Sequence, residues 1–179
     1  MIFTLPNCIS ILRMVGTLCL LETAPLSTPF FVIYTLTGVT DVLDGWLARR
    51  TGTESALGAR LDSIADLLFY AVMLGKLLPA LLRRFPAALW YVVGAIVLIR
   101  LASYGVAAWK YRTFASLHTY LNKLTGAAVF AVPFVLPTAL ADGYCWVVCI
   151  IAALASVEEL ILHLRAKSYD PSRKTLFRR

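Results

Sequence analysis

Four of the chain's ten acidic residues lie close together, at Asp41, Asp44, Asp62 and Asp66. Carboxylate oxygens are the ligands that Mg²⁺ and Mn²⁺ prefer, and residues 41–66 contain no histidine or cysteine that would favour a softer metal. Two such ions can bridge a diphosphate, neutralise the charge that develops on it and align an attack on one phosphorus atom. The four aspartates therefore predict a site for two Mg²⁺ or Mn²⁺ ions and phosphoryl chemistry.

The spacing of these residues predicts two helices that carry the site. A helix turns by about 100° per residue, so residues three or four positions apart lie on one face. Asp41, Asp44 and Ala48 therefore share a face of the first helix, and Gly58, Asp62 and Asp66 share a face of the second. Only a short polar stretch, residues 51–57, connects them, so the helices are predicted to be antiparallel neighbours. The two acidic faces are then expected to meet.

The composition places these helices in a membrane. Hydrophobic residues form 60% of the 179-residue chain and charged residues 15%, whereas soluble domains carry about 25% charged residues. Six apolar segments approach the roughly 20 residues that a membrane-spanning helix needs: 6–22, 28–49, 60–81, 86–109, 121–140 and 143–164. No linker or repeat indicates a second domain. The predicted fold is one all-α integral membrane domain, residues 1–179, with six transmembrane helices around a polar cavity that faces the cytoplasm.

The predicted helix boundaries follow from local chemistry. Two prolines separate the first two helices within residues 24–29, and the stretch 83–86 (Arg-Arg-Phe-Pro) ends the third helix. Residues 110–118 are predicted to form a basic, aromatic loop, and residues 141–143 (Ala-Asp-Gly) a tight turn between the last two helices. All four cysteines lie in apolar segments, which predicts buried and unreactive thiols.

Lysine and arginine residues set the predicted orientation. With both termini in the cytoplasm, the inner side holds most of the basic residues, including those of the tail, Arg165, Lys167, Arg173, Lys174, Arg178 and Arg179. The outer side then holds Arg83 and Arg84, with Lys76 reaching toward them. A basic tail after an apolar segment indicates contact with anionic lipid and not with nucleic acid. The chain is therefore predicted to be a multi-pass protein of the cell membrane with its active site on the cytoplasmic side.

Four carboxylates inside membrane-spanning helices need a specific reason. An aspartate inside the membrane costs about 2.5–3.5 kcal/mol, and neighbouring carboxylates also repel one another. Divalent cations would offset both costs. The alternative is a solvated loop in which the acids pair with Arg49, Arg50 and Arg60, but Asp41 and Asp66 lie too far into their helices for that arrangement.

The same residues carry a family resemblance. The pattern D-x2-D-G-x2-A-R-x8-G-x3-D-x3-D, typical of the CDP-alcohol phosphotransferases, is matched from Asp41 to Asp66 at all eight fixed positions. At about one in twenty per fixed position, a chance match is on the order of 10⁻¹⁰ per start position. The six-helix layout is similar to that family too, and residues 5–13 resemble its first helix.

The resemblance implies a role for each matching residue. Asp41, Asp44 and Asp62 would bind metal, while Asp66 would complete the second metal site and act as general base on the acceptor hydroxyl. The CDP-lipid would be bound by small or basic residues and by the first helix: Gly45, Ala48, Arg49, Gly58, Asn7, Ser10 and Arg13. Close helix packing is an alternative for the small residues, and helix N-capping is an alternative for Asn7.

The resemblance also implies the reaction. A phosphatidyl group would pass from CDP-diacylglycerol to the hydroxyl of a small polar alcohol, CMP would leave, and the protein would be a homodimer. Two other classes are weighed against this one. A divalent-cation transporter needs polar groups that continue to the outer face, but the outer halves of these segments are almost wholly apolar. A catalytically silent scaffold fits only if the metal site is unused.

The acceptor is predicted from the remaining cations. A phosphate-bearing acceptor needs a basic subsite, for which the candidates are Arg100, Lys110, Arg112 and Lys123. We therefore favour glycerol 3-phosphate, with serine and inositol phosphate as alternatives, although residues 61–66 are closer to serine-using members. Arg100 has further alternatives: a counter-ion for the aspartates, a snorkelling side chain or a structural pair. His118 and His163 receive no role.

Overall fold

The computed structural model describes residues 5–51, 56–112, 119–166 and Thr175. Within these residues the chain contains no β-strand. Its helices are α1 (Leu5–Leu21), α2 (Thr28–Thr51), α3 (Ala56–Arg84), α4 (Ala87–Tyr111), α5 (Tyr120–Val135) and α6 (Ala141–Arg165). The all-α prediction is confirmed.

In the described part of the chain, three helical stretches are long and apolar enough to cross a membrane. They are Ile64–Arg84 within α3, the whole of α4 and the whole of α6. Counted over the residues whose side chains are described, the apolar stretches in α1, α2 and α5 have 10–17 residues, whereas about 20 are needed to cross the hydrocarbon layer. A multi-pass membrane protein fits this pattern. The six complete spans and the polar cavity stay a prediction.

The helix boundaries test the predicted breaks. The prediction at residues 83–86 is confirmed, because α3 ends at Arg84 and Pro86 is the N-cap of α4. The predicted turn at residues 141–143 is wrong: α6 begins at Ala141, and the turn lies at residues 136–140. Pro137 has no N–H to extend α5, and Asp142 in the first turn of α6 suits the positive end of the helix dipole.

The chain forms two compact units, Met1–Arg84 and Phe85–Arg179. The single domain, residues 1–179, stays a prediction. In the first unit α1 packs against both α2 and α3. In the second unit α6 packs against both α4 and α5, and the Tyr144 hydroxyl donates a hydrogen bond to the Ala128 carbonyl at 2.8 Å.

Helix α1 buries three polar residues, and most of its exposed residues are apolar. Its buried face carries Ser10, Arg13 and Thr17, whereas its exposed residues include Leu12 and Val15. This is the reverse of a helix in a water-soluble protein, and it is expected where the surroundings are hydrocarbon. Cys145 and Cys149 are buried as predicted, but the prediction is wrong for Cys8 and Cys19, which lie on the exposed side of α1.

Candidate active site

The motif lies on α2 and α3. Asp41 and Asp44 are in α2, and Asp62 and Asp66 are in α3, so all four occupy helical backbone as their spacing predicts. The side chains of the first three aspartates lie outside the described residues, as do those of Asn7, Gly45, Ala48 and Arg49. Among the side chains that are described, no group of three His, Cys, Asp or Glu residues forms a metal site. The four-aspartate metal site therefore stays a prediction.

A ring contact joins α2 and α3. The rings of Tyr34 and Phe69 stack with their centroids 5.5 Å apart. Asp41 lies seven residues further along α2, and Asp62 lies seven residues back along α3. Because the connection from Thr51 to Ala56 is short, the chain reverses direction, and each aspartate is about 10 Å beyond the stack at 1.5 Å per residue. This register supports acidic faces at a shared level.

Asp66 pairs with an arginine of α1. The Arg13 Nη1 atom lies 3.3 Å from Asp66 Oδ1, and the two side chains are 2% and 45% exposed respectively. The guanidinium is thus enclosed by the protein, while the carboxylate keeps about half of its surface open. A buried arginine would be energetically costly without such a partner. The pair supplies that partner and leaves Asp66 accessible.

The neighbours of Arg13 explain its burial. Ser10 and Thr17 lie on the same side of α1 and are 3% and 0% exposed. Gly16 brings α1 close to α2, since a Cβ atom added there would lie 3.1 Å from the Thr37 hydroxyl oxygen. Both Ser10 and Arg13 were predicted to reach the nucleotide diphosphate. The structure places both against the protein interior, whereas Gly58 is half-buried.

The second unit contains a closed polar network. Arg100 of α4 donates to Glu159 of α6 at 2.9 Å and to the side-chain oxygen of Asn122 in α5 at 2.8 Å. Asn122 donates to the same Glu159 oxygen at 3.0 Å. Glu159 is fully buried, and Arg100 is 25% exposed. Each helix of this unit thus contributes one member of a three-residue ring of hydrogen bonds.

The other predicted acceptor residues have separate positions. The Lys110 ammonium donates to the carbonyls of His163 and Leu164 at 3.0 and 2.9 Å, where the last turn of α6 leaves carbonyl groups without helical partners. Arg112 is the exposed left-handed C-cap of α4, with φ of 54°. Lys123 is exposed in the first turn of α5. Of these predicted residues, Arg100 alone belongs to the described hydrogen-bond ring.

Sequence reasoning missed the partners of Arg100. Glu158 and Glu159 are an acidic pair inside an apolar segment, and Glu159 and His163 have the i, i+4 spacing of one helix face. The acidic pair and this spacing are both visible in the sequence and mark Glu159 as a candidate polar partner inside the membrane segment. His163 is 1% exposed, and its Nε2 atom lies 3.8 Å from a Glu159 oxygen. The carboxyl group of Glu158 accepts a hydrogen bond from the Thr175 hydroxyl at 3.3 Å.

Together, these features define a helical membrane protein with an acidic two-helix motif and two arginine–carboxylate pairs, each with one buried member. The family model for CDP-alcohol phosphatidyltransferases matches residues 3–157. The chain belongs to the CDP-alcohol phosphatidyltransferase family, a family of membrane-bound transferases in phospholipid biosynthesis. The resemblance carried by Asp41–Asp66 is thereby confirmed.

Three curated relatives show the range of the family around this chain. A CMP-forming cardiolipin synthase from Streptomyces coelicolor is 32% identical over 165 residues, covering 87% of this chain and 72% of that protein. A CDP-diacylglycerol–glycerol-3-phosphate 3-phosphatidyltransferase from Pseudomonas fluorescens is 29% identical over 144 residues, covering 74% and 71%. A CDP-diacylglycerol–serine O-phosphatidyltransferase from Methanocaldococcus jannaschii is 39% identical over 87 residues, covering 46% of this chain and 41% of that protein. No solved structure matches the chain.

Proposed function

We propose that this protein transfers a phosphatidyl group from CDP-diacylglycerol to the hydroxyl of a small polar acceptor, with release of CMP. Glycerol 3-phosphate is the favoured acceptor. The observation that carries the proposal is the eight-position motif on α2 and α3 within a family match over residues 3–157. The three relatives described above are all synthases or transferases, so the divalent-cation transporter gains no support from them.

The donor set fits hard divalent cations. Asp41, Asp44, Asp62 and Asp66 offer only oxygen ligands, and the one described carboxylate, that of Asp66, is 45% exposed and so open to a ligand. Two Mg²⁺ or Mn²⁺ ions bound there would neutralise charge on the diphosphate and on the departing CMP. The remaining steps belong to the protein's own side chains.

Asp66 is the proposed general base. It accepts the proton of the acceptor hydroxyl, the alcohol oxygen forms a bond to the lipid-side phosphorus, and the bond from that phosphorus to the CMP oxygen breaks. Gly45, Ala48 and Gly58 leave room for the cytidine and its ribose, while Arg49 binds the diphosphate. Asn7 completes the proposed CDP-lipid site at the start of α1, whereas Ser10 is 3% exposed and is left out of it.

The choice of acceptor rests on the exposed cations of the second unit. Arg100 keeps 25% of its side chain exposed, and Lys123 and Arg112 are exposed, so each can be reached by an anion. The name of the Pseudomonas fluorescens relative gives glycerol 3-phosphate, whereas the Methanocaldococcus jannaschii relative gives serine. Serine is therefore the second candidate, and the Methanocaldococcus jannaschii relative matches 46% of this chain.

Three wider features belong to the same proposal. The chain acts as one domain, which is supported by a family match that runs through both compact units. It crosses the cell membrane several times with both termini and the active site in the cytoplasm, and it forms a homodimer. Cysteine-accessibility labelling at Ser172 changed to cysteine, in sealed right-side-out vesicles, tests the orientation. Protection from an impermeant reagent is expected.

The decisive experiment is a CMP-release assay on the purified full chain. CDP-diacylglycerol is offered with glycerol 3-phosphate, serine, inositol phosphate or phosphatidylglycerol, whose phosphatidylation yields cardiolipin. Turnover should require Mg²⁺ or Mn²⁺, stop in chelator and be fastest with glycerol 3-phosphate. Absence of CMP release with every acceptor would reject the proposed function, and preference for serine would reject only the acceptor.

A further inference from the structure

The buried arginine of α1 carries an inference about how the reaction site is held. Arg13 Nη1 and Asp66 Oδ1 are 3.3 Å apart, with the guanidinium 2% exposed and the carboxylate 45% exposed. We propose that Arg13 is a positioning residue that acts on the reaction through Asp66, and not a ligand of the CDP-lipid. This inference rests on the proposed function, in which Asp66 touches the acceptor and a metal ion.

Burial is the first reason. A side chain that is 2% exposed has almost no surface with which to bind a diphosphate. To reach one, Arg13 would have to leave its place between α1 and α3. The close approach of Gly16 to the Thr37 hydroxyl oxygen, and the fully buried Thr17, pack α1 tightly about one turn beyond that place. A moving arginine would therefore require α1 itself to move.

Electrostatics is the second reason. Carboxylates close together repel one another, and a guanidinium beside one of them lowers the free energy of that group. The pair also holds one oxygen of the Asp66 carboxylate beside α1, because the buried guanidinium lies 3.3 Å from Oδ1. Since Asp66 stays 45% exposed, the ion pair holds the carboxylate without closing it off. Arg13 thus prepares Asp66 for a hydroxyl or a metal ion.

A role through Asp66 and a role on the substrate differ in kinetics. Loss of a group that holds a catalytic or metal-binding carboxylate typically lowers activity about 10- to 100-fold. Such a loss falls on kcat, whereas loss of a substrate contact of uniform strength raises KM. If Arg13 acts through Asp66, its removal should also cost little once Asp66 has been changed, because the two residues then form one functional unit.

The test uses Arg13→Gln and Arg13→Lys in the full chain, assayed with saturating Mg²⁺ in the CMP-release assay. Arg13→Gln should lower kcat about 10- to 100-fold with the KM for CDP-diacylglycerol changed less than about twofold. Arg13→Lys keeps the charge and should recover part of the loss. The double variant Arg13→Gln/Asp66→Asn should be no slower than Asp66→Asn alone. Arg83→Gln is the matched control, because Arg83 is an exposed arginine of the same unit.

Several outcomes decide the matter. A raised KM for CDP-diacylglycerol with an unchanged kcat, or a full further loss in the double variant, would overturn the positioning role and leave the proposed function standing. If Arg13→Gln fails to fold, Arg13→Lys decides alone, since a substrate ligand and a positioning residue still differ in which kinetic constant changes. An inactive wild-type protein would instead reject the proposed function.

Discussion

Each unit of the chain contains an arginine–carboxylate pair with one buried member, and the two units bury opposite members. In the first unit Arg13 is 2% exposed and Asp66 is 45% exposed. In the second unit Glu159 is 0% exposed and Arg100 is 25% exposed. The accessible group is therefore a carboxylate in one unit and a guanidinium in the other.

The difference indicates what each unit can bind. A half-exposed carboxylate with a buried arginine behind it is suited to a cation or to the proton of a hydroxyl. A partly exposed guanidinium with a buried carboxylate behind it is suited to an anion such as a phosphate. In both units the buried member offsets the cost of placing its partner in apolar surroundings. The comparison thus supports the proposals of metal and base chemistry in the first unit and of anion recognition in the second.

The largest expected effect comes from removing the carboxylates of the first unit. Asp41→Asn, Asp44→Asn and Asp62→Asn should each lower kcat by several decades, because each removes the charge of a metal ligand. Asp66→Asn should cost about 10²–10⁴-fold as the loss of a general base. The measurement is CMP release at saturating Mg²⁺, with circular dichroism to show that the helices persist.

Asp142→Asn is the control for these changes, because Asp142 is an exposed acid of the second unit. Its activity should stay close to that of the wild type. Near-normal turnover by any of the four motif variants would mean that the ligand set is wrong at that position. The proposal of metal and base chemistry in the first unit would then be rejected at that position.

The next effect concerns the buried carboxylate of the second unit. Glu159→Ala leaves Arg100 and Asn122 without their shared acceptor and should lower the free energy of unfolding by about 3 kcal/mol, the low end for a broken buried pair because Arg100 keeps some exposure. Glu159→Gln retains an acceptor oxygen and should cost less. Unfolding of the detergent-solubilised protein measures both. Equal losses for the two variants would show that the hydrogen bonds contribute nothing beyond the charge.

A smaller effect tests the exposed guanidinium. Arg100→Ala and Lys123→Ala should each raise the KM for glycerol 3-phosphate about 10- to 100-fold, the range expected for a charge-assisted hydrogen bond of about 1.5–3 kcal/mol. The KM for CDP-diacylglycerol should barely change. Arg83→Ala is the control, since Arg83 is exposed in the first unit. Fast turnover of serine that neither substitution alters would reject the phosphate subsite.

The sequence predicted one side of this comparison much better than the other. The motif in α2 and α3 has fixed spacings, and local spacing is what determines which residues share a helix face. The ring of Arg100, Asn122 and Glu159 joins residues up to 59 positions apart, and no local pattern specifies such pairs. The pairing of Arg13 with Asp66 depends on how α1 packs against α3, which periodicity alone does not give.

The correct and the wrong predictions of helix boundaries both have local causes in the sequence. The break before Pro86 was predictable because two strong signals, a basic pair and a proline, coincide there. The prediction misplaces the turn between α5 and α6 because Ala-Asp-Gly at 141–143 resembles a turn, whereas the helix begins there. An aspartate and a glycine are also well tolerated in a first helical turn, so their presence did not decide between a turn and a helix start.

The smallest effect concerns the packing that keeps Arg13 buried. A Cβ atom at Gly16 would lie 3.1 Å from the Thr37 hydroxyl oxygen, whereas a Cβ at Gly75 of the same unit would meet nothing within 4 Å. Gly75→Ala should therefore stabilise the protein by up to about 1 kcal/mol through helix propensity.

Gly16→Ala should stabilise the protein less, because the Thr37 hydroxyl is already held by a 2.7 Å hydrogen bond to the Ile33 carbonyl and cannot easily move away from the new methyl group. In a Thr37→Ala background the oxygen is gone, and Gly16→Ala should recover a gain close to that of Gly75→Ala. Equal gains for the two single variants in unfolding experiments would show that α1 is free to shift, and would remove the packing argument for a fixed Arg13.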